Sequence, residues 1–227
     1  RSFIGTGGGS LALKISPNKS ETGVAAGVAF SFAQINTDVV AGIDHAKVKA
    51  FETIDVHAWN ATEIAAGAAF VGASQAPEAN SFAGSTVVSI IGNNTSASIG
   101  GDATVEAVGK VSVQAADSGA NAALETLIDP DGKRNSTAPA LDYCGSVATG
   151  LTPSGSCITS VAGTIQVSAG SNYGLSLGYN AISNRTSASI GQADVKATGA
   201  NGTIDVLASA DTSVLSVAAG VALSQKF

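Results

Sequence analysis

Methionine is absent from this chain, tryptophan occurs once, cysteine twice, and aromatic residues make up only 5% of it. So few large rings argue against a globular core built on bulky side chains. The apolar share is nevertheless 44%, which excludes a disordered chain. Most of that share is Ala and Val, accompanied by 27 Gly. Such a mixture suits thin, regularly stacked layers. Charge is also scarce, at 12% of residues, with 11 basic against 17 acidic side chains and a net charge of −6. A phosphate-backbone partner needs clustered Lys and Arg, so no nucleic-acid partner is expected. No apolar run approaches the roughly 18 residues of a membrane-spanning helix. The longest, around Ile64 to Ala73, is too short, and the chain is expected to be soluble and not transmembrane. Arg1 opens directly into an apolar, Gly-rich stretch without a basic-then-apolar leader, which reads as an internal piece of a longer polypeptide.

What the chain does have is repetition. Val24-Ala25-Ala26-Gly27-Val28-Ala29-Phe30-Ser31-Phe32-Ala33 is matched at six of ten positions by Ile64 to Ala73. Val217-Ala218-Ala219-Gly220-Val221-Ala222-Leu223-Ser224 matches the first version at seven of eight. A second phrase, Thr95 to Gly100, recurs without change as Thr186 to Gly191. Internal periods of this kind are the signature of a repeat architecture.

Period-two alternation makes these segments strands. Ala is a good helix former, but two Val, two Phe and an internal Gly weaken a helix over Val24 to Ala33. Along that stretch the larger set, Val24, Ala26, Val28, Phe30 and Phe32, is expected to face a core. The small set would then face out. After a turn expected at Asn36-Thr37-Asp38, short strands follow at Val39 to Ile43, Ala46 to Ala50 and Ile54 to Trp59. The same sentence returns at Ser96 to Gly100, Ala103 to Ala107 and Val111 to Ala115. It appears a third time at Ser187 to Gly191, Ala193 to Ala197 and Thr203 to Ala208. A module of forty-odd residues, folded as two rungs of about twenty, is expected to stack on its copies.

The excess spacing falls in two insertions, at about 74–85 and 129–160, within a single solenoid segment covering 1–227. The second insertion holds Pro130, Pro139, Pro153 and both cysteines. Cys144 and Cys157 have twelve residues between them and no further ligands nearby, so zinc is not indicated. They read as a disulfide made in an oxidising compartment, or else as two unpaired thiols. Repeat arrays put insertions in loops leaving one face. Tyr143, beside Cys144, marks the loop expected to contact a partner if any does.

Short strands, inward Val, Ile and Ala, and corners rich in Asn and Gly describe a β-solenoid, with a β-sandwich as the rival fold. The formula Asn94-Thr95-Ser96-Ala97-Ser98-Ile99-Gly100, then Ala103-x-Val105-x-Ala107 and Val111-x-Val113-x-Ala115, together with the Val217 to Ala222 segment, resembles the repeats of very large secreted bacterial surface proteins. These are autotransporter passengers and filamentous-haemagglutinin-like adhesins. The resemblance covers about 24–124 and 171–227. It implies a right-handed parallel β-helix, export to the cell surface, and adhesion or extracellular scaffolding. The paired cysteines depart from it, because many such passengers have few or none.

Chemistry is harder to find. Gly5-Thr6-Gly7-Gly8-Gly9 lacks the third Gly of a dinucleotide loop and the Gly-Lys-Ser/Thr of a Walker loop. His45 and His57, with Asp44, Glu52 and Asp55 nearby, have no spacing that converges on one metal ion. Asp129 to Lys133 imitates the start of a calcium loop without its later ligands. The outward acids Asp55, Glu106, Asp194 and Asp205 are single. Asp55 and Asp205 share a column that Ser112 interrupts, which is poor material for paired-carboxylate chemistry. Seven glycosylation sequons, including Asn60, Asn93, Asn94 and Asn184, fall in expected turns and read as accidents of composition. No enzyme activity, metal or cofactor is expected.

The functional expectation is a non-catalytic stalk or fibre segment of an exported surface adhesin or filament. The alternatives are a carbohydrate-active β-helix enzyme and a self-assembling coat or filament subunit. Partners would be a host or cell-surface ligand, or other copies of the chain. The self-association face is expected on the strip formed by Ala25, Gly27, Ala29 and Ser31 with Ala218, Gly220, Ala222 and Ser224.

Overall fold

A computed structural model describes residues 2–14, 24–74, 80–117, 155–168 and 170–224. These residues form strands and no helix. In chain order the strands are β1 Ser2–Lys14, β2 Val24–Asp44, β3 Lys47–Ala50, β4 Thr53–Asn60, β5 Thr62–Ser74, β6 Asn80–Gly100, β7 Ala103–Ala107, β8 Lys110–Asp117, β9 Ser156–Ser168, β10 Asn172–Ile190, β11 Ala193–Ala197, β12 Thr203–Ala210 and β13 Thr212–Ser224.

Four sheets collect them in the orders β1-β5-β9-β13, β10-β6-β2, β11-β7-β3 and β12-β8-β4. Every pairing is parallel. The chain thus visits the same four sheets in the same order on each circuit, a layout compatible with a β-solenoid. Parallel strands cannot be joined by a two-residue hairpin. Here the rest of the circuit serves as the crossover, and each circuit lies on the one before.

The register carries the expected columns. Ile43 pairs with Ile99 and Ile99 with Ile190, while Thr95 to Ile99 lies on Thr186 to Ile190 without a slip. Val48, Val105 and Val195 stack likewise, as do Ile54, Val111 and Ile204. In the middle circuit Ile99, Val105, Val111 and Val113 have no exposed surface at all.

The expected period, however, is corrected. Stacked partners lie 56 residues apart, as for Thr37 and Asn93, and then 91 apart, as for Ser85 and Ser176. One wide circuit replaces two narrow rungs. Val24 to Ala33 belongs to β2 and Ile64 to Ala73 to β5, strands of different sheets that face each other across the interior. Their likeness records two opposite walls of one circuit meeting the same steric demand. Nor is there a turn at Asn36 to Asp38, since β2 runs through it unbroken.

The second correction concerns which face of β2 is inside. Ala25, Ala29 and Ser31 are buried at 5%, 3% and 4%, whereas Val28 and Phe30 are 71% and 59% exposed. The large set faces out and the small set faces in. Gly27 shows why. A methyl group added to it would sit 2.8 Å from Cζ and 3.0 Å from Cδ2 of Phe70, and nearer still to Cε2. The two walls are so close that one inward Phe on β5 takes the space in which Gly27 of β2 would carry a side chain. In β13, Ala218, Gly220, Ala222 and Ser224 continue the inward columns of Ala162, Thr164, Gln166 and Ser168. They are open only because β13 is the last strand of its sheet. The strip expected to drive self-association is therefore the lining of the molecule.

The interior holds two apolar clusters. One lies between the long walls and includes Ile35, Ile64, Phe70, Val87, Ile91 and Ile158. The other fills the space enclosed by the short sheets and the far end of β6, with Ile54, Ile99, Val105, Val111 and Val113. The walls around the first cluster are called the blade below, and the region around the second the body. Sharp corners lead from the long strands into the body, where His45, Gly101 and Asp102 take φ of 50°, 58° and 58°. A side chain at Gly101 would collide with Asp44 and His45 of the neighbouring circuit, so this corner requires glycine.

The strand bounds shift both expected insertions, shortening 74–85 and placing the second between Asp117, which ends β8, and Ser156, rather than at 129–160. Ser74 ends β5 and Asn80 to Ser85 already belong to β6, while Ser156 to Ser160 open β9. The remaining residues of both stretches, apart from Gly155, lie outside the described residues, as do Tyr143 and Cys144.

Candidate functional site

Three arrangements have the concentration of unusual chemistry that a site requires: the outward acids of the body, a polar seam inside the molecule, and the outer faces of the blade.

The outward acids are placed as the alternation indicates. Asp55, Ser112 and Asp205 form one column. Each acid has a nitrogen partner: Lys110 reaches Asp205 at 2.7 Å, Lys49 reaches Glu106 at 2.6 Å, and Lys196 reaches Asp194 at 2.7 Å. His57 Nε2 stands 3.6 Å from Asp55, and His45 Nδ1 3.0 Å from Asp44. Hydrogen bonding to Asp194, and its charge, raise the Lys196 ammonium above its ordinary range. Among the described residues no three His, Cys, Asp or Glu side chains gather as a metal would require. A recess of about 160 Å³ lies beside the Lys49–Glu106 pair, lined also by Ala50, Phe51, Ala107 and Val108. Its walls carry one ion pair and apolar carbon.

The seam was not visible from the alternation. It separates the two apolar clusters and runs along the axis from circuit to circuit. Asn60 Nδ2 donates to Thr37 Oγ1 at 3.2 Å, and the Thr37 hydroxyl donates to Asn93 Oδ1. Asn93 Nδ2 in turn donates to Thr62 Oγ1 at 2.6 Å and Ser156 Oγ at 2.9 Å. The Ser156 hydroxyl stands 2.9 Å and 2.8 Å from the two oxygens of Asp117, which also accepts from Asn184 Nδ2. Asp117, Thr62 and Ser156 have no exposed surface. Burial pushes the Asp117 carboxyl above its ordinary range, hydrogen bonds with Ser156 and Asn93 pull it back in part, and the charge of Asp211 adds to the rise. A buried polar network is stable only when its members are satisfied, and this one is nearly closed.

The seam also corrects the sequon reading. Asn60 and Asn93 sit in strands and are buried at 2% and 4%, with their side chains engaged inward, so neither offers an acceptor in a turn. A signal existed. Counting back six residues from each isoleucine of the Ile43, Ile99, Ile190 column gives Thr37, Asn93 and Asn184, which are polar in all three circuits.

The blade presents two broad outer faces. On the β10-β6-β2 sheet Val28, Phe30, Phe32, Leu175, Leu177 and Tyr179 are all about half exposed or more, and the Phe82 and Tyr173 rings stack at 5.2 Å between centroids. A shallow hollow of about 400 Å³ runs between Val28, Phe82, Tyr173 and Leu175. On the other sheet Leu11, Val71, Ile165 and Val221 form an exposed column. Among the described residues of the blade no Asp, Glu, Lys, Arg or His occurs in 5–13, 24–34, 65–73, 80–90, 161–168, 172–182 or 215–224. Isolated exposed apolar residues are ordinary, but two contiguous faces are not. Cys157 is buried on β9, and its expected partner lies outside the described residues.

No protein-family model, curated protein or solved structure matches this chain.

Proposed function

We propose that this chain is a non-catalytic structural segment, a stiff stalk or fibre piece, of an exported bacterial surface protein, wound as a right-handed parallel β-helix. The observation that carries the reading is the in-register stacking of three successive circuits, with the isoleucine and valine columns continuous from one to the next. Stacked circuits contact mainly their neighbours, so such an array builds length and stiffness without a central site. The pairing of each outward acid with a nitrogen supports the absence of catalysis. The resemblance of the Asn-Thr-Ser-Ala-Ser-Ile-Gly units to secreted adhesins supports export, and a Cys144–Cys157 bridge would accord with an oxidising compartment. A host or cell-surface ligand would engage the loop carrying Tyr143.

Immunogold microscopy of the intact source cell tests this reading. Label on fibres outside the envelope is the expected result, and label confined to the cytoplasm overturns it. Peptide mapping without reduction tests the bridge, which is expected as a Cys144–Cys157 cross-linked pair. The uncharged faces of the blade favour a second reading, a self-assembling coat or filament subunit. Ordered polymers forming from the purified protein alone would distinguish it.

A further inference from the structure

We infer that the blade is an assembly surface, on which one outer face receives the opposite outer face of a second copy of this chain. The inference deepens the structural reading above and rests on it only in taking the chain as a building segment.

The two faces differ in relief. On the β1-β5-β9-β13 sheet, Gly9, Ala69, Gly163 and Ala219 stack into a furrow along the axis. The Leu11, Val71, Ile165, Val221 column bounds it as a bank on one side. On the β10-β6-β2 sheet the high ground is a ridge that dips at its middle strand, with Phe30, Thr86 and Leu177 at one level and Phe32, Val88 and Tyr179 at the next. Furrow and ridge run in the same direction. Both repeat at the strand spacing of about 4.8 Å, so a ridge laid in the furrow stays matched from circuit to circuit. The two faces are not copies of one another, so the contact is heterologous and leaves a free face of each kind. Repetition of such a contact gives an open lateral array unless its rotation closes a ring.

Area makes this a weak contact. The ridged face has three strands, and three strands by nine residues of depth give about 14 by 30 Å, or near 430 Å² for each partner, from ordinary strand spacing and rise. The pair would bury about 860 Å², below the range for tight specific association, so two copies are expected to associate only at high concentration. With no charge on either face, no ionic group loses its water when they meet. Apolar burial is then opposed chiefly by lost freedom of motion.

Sedimentation velocity of the 227-residue chain over a wide concentration range, with the variants Ile165→Lys on the furrowed face and Phe30→Lys on the ridged face, tests the proposal. Both positions are about half exposed, so the variants should fold. Unchanged circular dichroism and melting would confirm this, and Val71→Lys and Leu177→Lys serve as second choices. The wild type is expected to form a ladder of species beyond the dimer, and each variant alone should associate about thirtyfold more weakly or worse. A mixture of the two variants retains one good face of each kind and should give a one-to-one pair that grows no further. A wild type that stops at a closed dimer, or one variant that self-associates normally, would overturn the face-to-opposite-face contact. So would a chain that is monomeric throughout, including one that is monomeric in buffer yet floats with phosphatidylcholine vesicles, which would assign the blade to lipid instead. None of these failures touches the stalk reading, which the cell-surface label decides separately.

Discussion

Gly27→Ala discriminates between the two possible orientations of β2. If the small residues of this strand faced water, the substitution would relieve a strand of its glycine and stabilise the protein by about 0.5–1 kcal/mol. In the structure the new methyl group meets the Phe70 ring, at 2.8 Å from Cζ and 3.0 Å from Cδ2. Phe70 is itself 1% exposed. On its other side a methyl group at Gly72 would lie 2.8 Å from its Cε1, so the ring has little room to withdraw. Overpacking of this kind costs about 1–3 kcal/mol, so the two orientations predict opposite signs. The second half of the experiment removes the obstacle. Phe70→Ala alone should cost about 3–5 kcal/mol through the cavity it leaves. In that background Gly27→Ala should become neutral or favourable, because its methyl enters the vacated space. Urea unfolding of the four proteins of this cycle measures the coupling. A stabilising Gly27→Ala, or effects that simply add, would refute the inward placement of the small-residue strip and the blade reasoning with it.

Other expected outcomes follow from the columns and the seam. Ile99→Ala, in the middle circuit with no exposed surface, should cost about 2–5 kcal/mol by denaturant titration. Ile190→Ala, one circuit further in the same column and covered on one side only, should cost clearly less. Equal losses would contradict the stacking. Asn93→Ala removes the amide that donates to Thr62 and Ser156 and the oxygen that accepts from Thr37, and should destabilise by about 1–3 kcal/mol. Melting temperature checks this, and a neutral result would mean that water replaces the amide. For Asp117 the folded carboxyl titrates above its ordinary value. Its contribution to stability is therefore full below about pH 3.8 and is lost as pH rises through the folded pKa. Asp117→Asn should thus gain on the wild type as pH rises through that window, and melting curves that stay parallel across it would show the reasoning wrong.

Much of the body was legible in the sequence, because there the usual rule holds. Ala, Val and Ile alternate with Lys, Asp and Glu, so polarity tells which side is wet, and the Ile43, Ile99, Ile190 column could be aligned by eye. In the blade that cue vanishes. Both sets of β2 residues are uncharged, and the habit of placing the larger set inside gave the wrong face. What decided the matter was the distance between two walls, which no local pattern encodes. The clue lay in the long-range match of Val24 to Ala33 with Ile64 to Ala73, where Phe70 stands among small residues on one wall and Gly27 on the other. The period is hidden for the same reason, since two walls of one circuit carry the same pattern as two stacked copies would. The seam was hidden because Asn, Thr and Ser were assigned to turns, where they are common. Here they satisfy one another between two apolar clusters.

The junction of Asp117 and Ser156 carries an engineering implication. These residues are 39 positions apart in sequence, yet the Ser156 hydroxyl lies within 2.9 Å of both Asp117 oxygens, and the strands on either side keep their register. The entropy of closing a loop rises only slowly with its length, so a structure clasped shut at this point is nearly indifferent to how much polypeptide is spliced between the two ends. The molecule thus has a natural cargo port. Foreign domains whose termini lie close together should be grafted there without lowering the melting temperature of the scaffold, and a graft that unfolds it would show that the clasp is weaker than its geometry implies.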